Sequence, residues 1–199
     1  MRSTFFLLFL ALLPFSGAAQ FNLDSLMKEL ETAPPDSNRT KTLQNVARVY
    51  MGMGKFKDAR AYFGKTMELA KQLGDRKREN STFINIGISY YYESDLVNAR
   101  SNWDKALAMA QERKDSVLIT SAINNLGNVE LNTGNYEAAQ QAYLDVLRWA
   151  EAHQDSGKVV ECLTNLASVF GYQNKSVTTK HRVLKLNPES INFLRKLIG

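Results

Sequence analysis

The stretch AINNLGNVELNTGNYEAAQQAYLDVL, residues 122–147, holds two apolar patterns on either side of a short polar break. After the break at 132–135, Tyr136, Ala139, Tyr143 and Leu147 recur every three or four positions, which is the spacing of one helix face. Gly and Asn in the break supply helix-ending backbone conformations. The stretch therefore predicts two helices joined by a tight turn.

The same pattern occurs at a fixed period along the chain. An asparagine recurs at equal intervals, as Asn45, Asn85, Asn125 and Asn165. Each is followed 14 positions later by a small residue and four positions after that by a bulky one, in the pairs Ala59 and Phe63, Ala99 and Trp103, Ala139 and Tyr143, Thr179 and Val183. A fixed period with matched chemistry predicts stacked copies of one helical hairpin. The small residues at 47, 87 and 127 and at 59, 99 and 139 are expected to let the paired helices approach closely.

This pattern resembles that of the tetratricopeptide repeat (TPR) family. The resemblance covers about residues 36–186 and is carried by Val46-Ala47-Tyr50-Ala59-Phe63, Ile86-Gly87-Tyr90-Ala99-Trp103 and Leu126-Gly127-Ala139-Tyr143. It implies an all-α fold, a right-handed α-solenoid of about four helix-turn-helix units at residues 40–79, 80–119, 120–159 and 160–186. A HEAT-like array has a similar period, but it does not predict the Gly and Ala positions found here.

The chain departs from the family pattern in three ways. Its period, about 40 residues, exceeds the usual family period of about 34. Leu43, Phe83, Ile123 and Leu163 stand where the family has an early Trp, and Glu130 takes the Tyr position of the third repeat. The fourth repeat is degenerate, with Thr179 at the small site.

Both ends of the array carry helix signals. Residues 20–35 are expected to form a short N-terminal helix and linker, with a start at Asn22-Leu23-Asp24 and a stop at Pro34-Pro35. Asn187-Pro188 is a favourable helix start. Residues 188–198 are therefore expected to form a helix that caps the array, which spans residues 36–199.

The first nineteen residues have the features of a secretory signal peptide. Met1-Arg2 gives a positive start, Phe5 to Leu13 is uninterrupted apolar sequence, and Gly17-Ala18-Ala19 suits cleavage before Gln20. The apolar run is too short to cross a bilayer, which requires about 20 residues. We expect an exported mature chain without a membrane span, in the periplasm or outside a bacterial cell. An uncleaved N-terminal anchor is the alternative.

Few residues have the type or spacing of catalytic or metal-binding groups. Cys162 takes a position that other repeats fill with Thr42, Thr82 and Ala122, so packing explains it. His153 and His181 have no carboxylate or Cys at ligand spacing, and no Ser-centred motif or phosphate loop is complete. The sequence therefore predicts a protein that is not an enzyme and needs no cofactor or metal.

The asparagines are the best candidates for binding. In TPR arrays the first helices line the inner surface, and the resemblance implies a row of asparagine amides, an asparagine ladder, that bonds to a peptide backbone. The candidate groove residues are Asn45, Asn85, Asn125, Asn165, Arg48, Ile88, Tyr91, Tyr92 and Asn128, with Lys41, Gln44, Ile84, Asn124, Leu131 and Tyr172 as further anchors. An alternative is that the amides bond only to the backbone of the neighbouring repeat or to water, and that Tyr91 and Tyr92 pack on adjacent helices.

The expected function is a non-catalytic scaffold that binds a protein or peptide in its groove, with no small-molecule substrate. The alternative is the extracytoplasmic sensory segment of a truncated sensor kinase or transcriptional regulator. Net charge is +5, but residues 20–174 hold 18 Lys and Arg against 19 Asp and Glu, while residues 175–199 hold 6 against 1. These counts place the basic character at the C-terminus rather than in the groove. They do not favour nucleic acid as a partner.

Overall fold

The described part of the chain is built from α-helices alone. A computed structural model describes residues 13–172, with side chains from residue 22 onward. Within that range the helices are α1 (Leu13–Thr32), α2 (Ser37–Gly52), α3 (Phe56–Gln72), α4 (Arg76–Tyr92), α5 (Leu96–Glu112), α6 (Ser116–Asn132), α7 (Tyr136–Ala152) and α8 (Ser156–Tyr172). Consecutive helices pack in pairs, so the predicted all-α TPR-like solenoid is confirmed.

The helices follow one another at a constant interval. From Phe56 onward all helices have the same length, they start at positions 56, 76, 96, 116, 136 and 156, and every connecting turn has three residues. The middle residue of each turn has a left-handed backbone, at Gly54, Gly74, Ser94, Lys114, Gly134 and Gln154. The first helices of the hairpins begin at positions 37, 76, 116 and 156, slightly before the predicted repeat boundaries.

An aspartate caps each of these first helices. Asp36 Oδ1 accepts hydrogen bonds from the backbone N–H groups of Asn38 and Arg39, both at 2.9 Å. Asp75, Asp115 and Asp155 accept from the N–H three residues ahead, at 2.9, 3.2 and 2.9 Å. Each carboxylate satisfies a backbone donor that the helix itself cannot, which explains why the helices begin where they do.

The chain divides into two compact units, residues 1–95 and residues 96–199. In the first unit α1 packs on α2, and a core of Leu23, Leu30, Leu43, Val46 and Leu69 joins α1, α2 and α3. A second cluster of Ala47, Ala59 and Phe63 fills the α2–α3 interface, with all three residues fully buried. The small residues at 47 and 59 therefore have the packing role that the sequence predicts.

Helix α1 begins earlier than the sequence predicts. Asn22 and Asp24 do not start it, because the helix is continuous from Leu13 to Thr32. Pro14 lies in its first turn, where a missing N–H costs nothing, and no later residue breaks the helix before Pro34. At the other end the Arg39 guanidinium donates to the carbonyls of Leu30 at 2.7 Å and Ala33 at 2.6 Å, which holds the end of α1 against α2.

In the second unit one core cluster lies between α7 and α8. It is formed by Ala139, Tyr143, Val146, Leu147, Cys162, Leu163, Leu166, Val169 and Phe170. Gly127 of α6 faces the Tyr143 ring so closely that a Cβ there would lie 2.8 Å from Tyr143 Cε1. The predicted close approach of paired helices is therefore confirmed at this position.

Several predicted features lie outside the described residues. These are the second helix of the fourth repeat with Thr179 and Val183, the capping helix 188–198, His181 and the basic C-terminal residues. The described range also contains no helix that is long and apolar enough to cross a membrane.

Candidate functional site

The first helix of each hairpin exposes one stripe of side chains. Positions spaced three and then four residues apart share a helix face, and the stripes begin at Asn45, Asn85, Asn125 and Asn165. They are Asn45–Arg48–Gly52 on α2, Asn85–Ile88–Tyr92 on α4, Asn125–Asn128–Asn132 on α6 and Asn165–Ser168–Tyr172 on α8. All four predicted asparagines are half-buried and occupy equivalent positions.

In the first unit, a side-chain hydrogen bond joins the two first helices. Arg78 Nη1 of α4 donates to Gln44 Oε1 of α2 at 3.0 Å, and Arg78 Nε donates to Asp75 Oδ2 at 3.1 Å. Gln44 is only 5% exposed. It therefore links neighbouring repeats and is not the exposed groove anchor that the sequence suggests; Ile84, also buried, is not one either.

The two asparagines of this unit differ in their bonding. Asn85 Nδ2 donates to the Ser81 carbonyl of its own helix at 2.9 Å, and its Oδ1 accepts no hydrogen bond from the part of the chain that the structure describes. Asn45 makes no side-chain hydrogen bond to the residues that the structure describes. Both amides thus retain capacity for a ligand, which favours the binding interpretation at these two positions.

In the second unit, a polar network joins α6 and α8. Asn124, which is 3% exposed, donates to Glu161 Oε1 at 2.7 Å and accepts from Asn165 Nδ2 at 3.2 Å. Lys158 Nζ donates to the other oxygen of Glu161 at 2.7 Å. Asn124 and Asn165 therefore serve the contact between repeats, through bonds between side chains rather than the bonds to backbone or water of the alternative interpretation. Asn125 makes no side-chain hydrogen bond within residues 22–172.

Asn128 has a packing role. Its Oδ1 accepts a hydrogen bond from the Tyr143 hydroxyl at 2.7 Å, and the Tyr143 ring is fully buried over Gly127. The amide satisfies the one polar group of a buried aromatic side chain, so it fixes the α6–α7 interface. Leu131, another suggested anchor, packs against the same core.

Two exposed tyrosines lie at the ends of first helices. Tyr92 is 64% exposed and stacks on Phe56, with ring centroids 5.8 Å apart and an interplanar angle of 14°. Tyr172, at the equivalent position of α8, is 66% exposed and stacks on Tyr136 at 6.2 Å and 3°. Each ring is held in place on one face and open on the other. The sequence analysis did not identify these stacking partners. In both pairs the partner ring is the first residue of a helix (α3 or α7), and the tyrosine is the last residue of the helix that follows it (α4 or α8).

Tyr91 is less accessible than Tyr92. It is half-buried and meets the Tyr92 ring edge-on, with centroids 6.3 Å apart. Arg48, by contrast, is exposed on α2, and Ile88 is half-buried on α4. Of the predicted anchors other than the asparagines, Tyr92, Arg48, Ile88 and Tyr172 lie on these stripes.

The sequence candidates for chemistry have structural roles. Cys162 is fully buried, and burial, with a smaller contribution from the Glu161 charge, raises the pKa of its thiol to about 12. His153 stacks on Trp149 at 4.3 Å. No group of His, Cys, Asp and Glu that could hold a metal occurs in the part of the chain that the structure describes. A shallow cavity of about 490 Å³ between α5 and α6 contains none of the predicted site residues.

A family model described as "Tetratricopeptide repeat" matches the chain twice, over residues 39–112 and 78–152. A comparison with curated protein sequences finds no match. The TPR fold is generally a non-catalytic scaffold, and the repeats support a role in protein interaction.

Solved structures show the same fold at low sequence identity. BtubC of P. vanneervenii has a TM-score of 0.67 at 15% identity, over 92% of this chain and 73% of that one. A STAND signal-transduction ATPase with a tetratricopeptide repeat sensor, from Pyrococcus horikoshii, has a TM-score of 0.68 at 20% identity, over 90% of this chain and 28% of that one. The Rap conjugation gene regulator of plasmid pLS20, solved with the Phr* peptide, has a TM-score of 0.71 at 18% identity, over 90% of this chain and 48% of that one.

Proposed function

The chain belongs to the tetratricopeptide repeat family, and from this premise we propose that it is an exported, non-catalytic scaffold that binds a segment of a protein partner on its first helices. The observation that carries the proposal is the state of Asn45 in the first unit and Asn125 in the second. Both are half-buried on the exposed stripes, and neither forms a side-chain hydrogen bond within the described residues. An amide that can both donate and accept suits a peptide backbone.

Amides alone do not give useful affinity. At about 1 kcal/mol net for each hydrogen bond, even four amides contribute roughly 4 kcal/mol, which corresponds to millimolar binding. The exposed faces of Tyr92 and Tyr172 can supply the rest, since tyrosine offers apolar area and a polar tip with few rotatable bonds. The Rap regulator of similar fold was solved with a peptide, which is consistent with this use of the fold.

The proposal can be tested with a displayed library of random peptides and the purified protein. We expect the wild type to retain peptides, and the double variant Asn45→Ala, Asn125→Ala to lose most of that binding. Asn102→Ala is the matched control, because Asn102 lies on the second helix α5 and its amide donates to the Asn98 carbonyl of its own helix. Circular dichroism and thermal unfolding should show that all variants remain folded. Equal binding by the double variant and the wild type would contradict the role of the amides.

Export has its own test. The positive start, the apolar run at residues 5–13 and the small residues at 17–19 support cleavage before Gln20. N-terminal sequencing of the protein from a bacterial envelope fraction should give Gln20 as the first residue. An intact Met1 on membrane-bound protein would favour the uncleaved anchor instead.

A second candidate function is that of a sensory segment within a longer signalling protein. It is favoured by one observation: the chain spans only 28% and 48% of two structurally similar proteins, a signal-transduction ATPase with a repeat sensor and a gene regulator. Sequencing the transcript downstream of the Gly199 codon for a membrane span and a signalling domain would distinguish this candidate from a free-standing scaffold.

A further inference from the structure

An aromatic pair occupies two of the joints between a second helix and the first helix that follows it. In the α3–α4 joint, Tyr92 stacks on Phe56 with ring centroids 5.8 Å apart. In the α7–α8 joint, Tyr172 stacks on Tyr136 with ring centroids 6.2 Å apart. In each pair one ring belongs to the first residue of the second helix, and the other belongs to the last residue of the first helix. The two pairs are therefore equivalent in position.

The α5–α6 joint has smaller or polar side chains at these positions. Leu96 begins α5 and Asn132 ends α6, so they stand where the other joints have the two rings. Glu130 replaces a third ring, because the equivalent residues of the other joints are Tyr90 and Phe170. This joint therefore contains less aromatic side chain than the other two.

A cavity of about 490 Å³ lies in the same joint, in the second unit. Its volume is within the range of about 300–1,000 Å³ that is usual for binding sites. The apolar part of its lining comes from Leu96 and Val97 of α5 and from Val129 of α6. Because helix joints pack closely when their side chains are large enough to fill them, the missing rings account for this space.

Val97 adds an exposed apolar side chain at the edge of the cavity. It is 79% exposed, and the equivalent positions of α3 and α7 carry the charged residues Lys57 and Glu137. The fold thus accepts a charge at this position and does not require a valine. Ser101 and Asp104, both exposed, lie beside Val97 in the lining. An apolar centre with a polar rim is the arrangement of a protein interface.

Arg100 and Asp104 are suited to an aromatic ring with a hydroxyl group. Glu130 Oε1 accepts from Arg100 at 2.6 Å, and the arginine side chain remains 39% exposed. A guanidinium can lie over a ring, as Arg60 does at 4.3 Å from the Tyr90 centroid. Asp104 forms no hydrogen bond or ion pair with the part of the chain that the structure describes. It follows Arg100 by about one helical turn, and its carboxylate can accept from a phenol hydroxyl.

We propose that the α5–α6 cavity binds an aromatic side chain of a protein partner, with tyrosine favoured by Asp104. The inserted ring fills the joint as the aromatic pairs fill the other two. The site lies apart from the exposed stripes of the first helices, so the inference goes beyond the proposed function and does not rest on it. A side chain fits better than a free small molecule, because the cavity is shallow and small ligands usually bury about 70–90% of their surface.

The first test is a titration of the purified full chain with p-cresol, which is the tyrosine side chain as a free molecule. NMR of methyl-labelled valine should show saturable shifts at Val97 and Val129. Val97→Glu, followed at Val129, should weaken binding about fivefold or more, because it removes apolar contact area. Val117→Glu is the matched control, since Val117 is 57% exposed on α6 and does not line the cavity. It should change the affinity by less than about twofold.

A second variant fills the cavity from within the chain. Leu96→Phe, Asn132→Tyr copies the aromatic pair of the α3–α4 joint. It should abolish binding of p-cresol without lowering the thermal stability. The inference would be overturned if p-cresol did not bind to the wild type, or if either Val97→Glu or the filled variant bound it as well as the wild type does.

Displayed random peptides test whether the ring comes from a protein. Peptides that the wild type retains and Val97→Glu loses should be enriched in Tyr and Phe. If no such peptides are found while p-cresol still binds, the cavity is a site for free aromatic molecules and the assignment to a protein partner is wrong. The variant Asn45→Ala, Asn125→Ala should still bind p-cresol. Its loss of other peptides concerns only the proposed function, so the two proposals can fail separately.

Discussion

Gly127 shows how one missing side chain sets the distance between two helices. A Cβ at this position would lie 2.8 Å from Tyr143 Cε1 and 3.2 Å from Ala142 Cβ. Tyr143 cannot move away easily, because its ring is fully buried and its hydroxyl is bonded to Asn128. Glycine is thus required here by space, whereas a Cβ at Gly64, on the exposed side of α3, would meet nothing within 4 Å.

We expect Gly127→Ala to lower the free energy of unfolding by about 1–3 kcal/mol, because the added methyl group overpacks the interface. Gly64→Ala, a matched change in open space on a helix, should raise it by roughly 0.5–1 kcal/mol through the lower flexibility of the unfolded chain. Urea denaturation of both variants measures the difference. A similar effect of the two substitutions would contradict the packing argument.

Glu130 shows why a departure from the family pattern is tolerated. In the first unit Arg60 lies over the Tyr90 ring, 4.3 Å from its centroid. At the equivalent position of the second unit, Arg100 donates to Glu130 Oε1 at 2.6 Å, and Asn135 donates to the other oxygen at 2.8 Å. The arginine thus binds either a ring face or a carboxylate at the same site.

Glu130 also makes stability depend on pH. Burial acts to raise the pKa of Glu130, but hydrogen bonds from Arg100 and Asn135 and the charge of Arg100 outweigh it and hold the pKa below its ordinary value. Because the folded-state pKa is the lower one, the stabilisation is complete above the ordinary carboxyl range and is lost as the pH falls through the folded value. Glu130→Gln should therefore cost about 1 kcal/mol at pH 7 and progressively less below about pH 4. Denaturation at several pH values tests this, and a cost that does not change with pH would contradict it.

At the scale of the helix and its turn, the three-residue connections impose one backbone demand. The middle residue of each turn has a positive φ angle, of 72°, 66° and 82° at Gly54, Gly74 and Gly134. Ser94, Lys114 and Gln154 adopt the same conformation, at 61°, 55° and 55°, although a side chain is strained there. Three of these six turns therefore place a residue other than glycine in the left-handed conformation.

Replacing such a residue with glycine should stabilise the protein. We expect Lys114→Gly to raise the free energy of unfolding by up to about 1 kcal/mol, or the melting temperature by roughly 2–4 °C. The converse change Gly134→Ala should lower stability by about the same amount. Calorimetry of the two variants provides the comparison, and destabilisation by Lys114→Gly would show that the side chain has a role outweighing the strain.

For the whole molecule, the fold was far easier to predict than the site. The repeat period and the small residues at 47, 59 and 127 were sufficient for the fold, because helix pairing depends on local spacing. The early start of α1 was missed, since Pro14 is compatible with a first helical turn. The capping aspartates were not identified from the sequence, although Asp75, Asp115 and Asp155 share the period.

The binding site was harder to predict, because the role of each asparagine depends on the hydrogen-bond partner that its amide has in the folded chain. Asn45 and Asn165 are equivalent in sequence, yet Asn165 bonds to Asn124 and Asn45 bonds to no described side chain or backbone group. A periodic pattern identifies equivalent positions in the repeats, but it does not identify the side chain that each position contacts on the adjacent repeat. An excess of basic residues on α2 and α4, which together carry six of them against Glu79 alone, was missed for a related reason. The charge sum over residues 20–174 combines the first helices with the second helices, so the excess does not show in it.

The constant interval between helix starts has a consequence for how such a chain can change its length. A segment that runs from Asp75 through Lys114 contains one cap, two helices and two turns, and it ends where the next segment from Asp115 begins in the same way. Unequal recombination at these two points adds or removes a whole hairpin without breaking a helix. The row of first helices can therefore gain or lose one member in a single genetic event, while the turn on either side keeps its three residues.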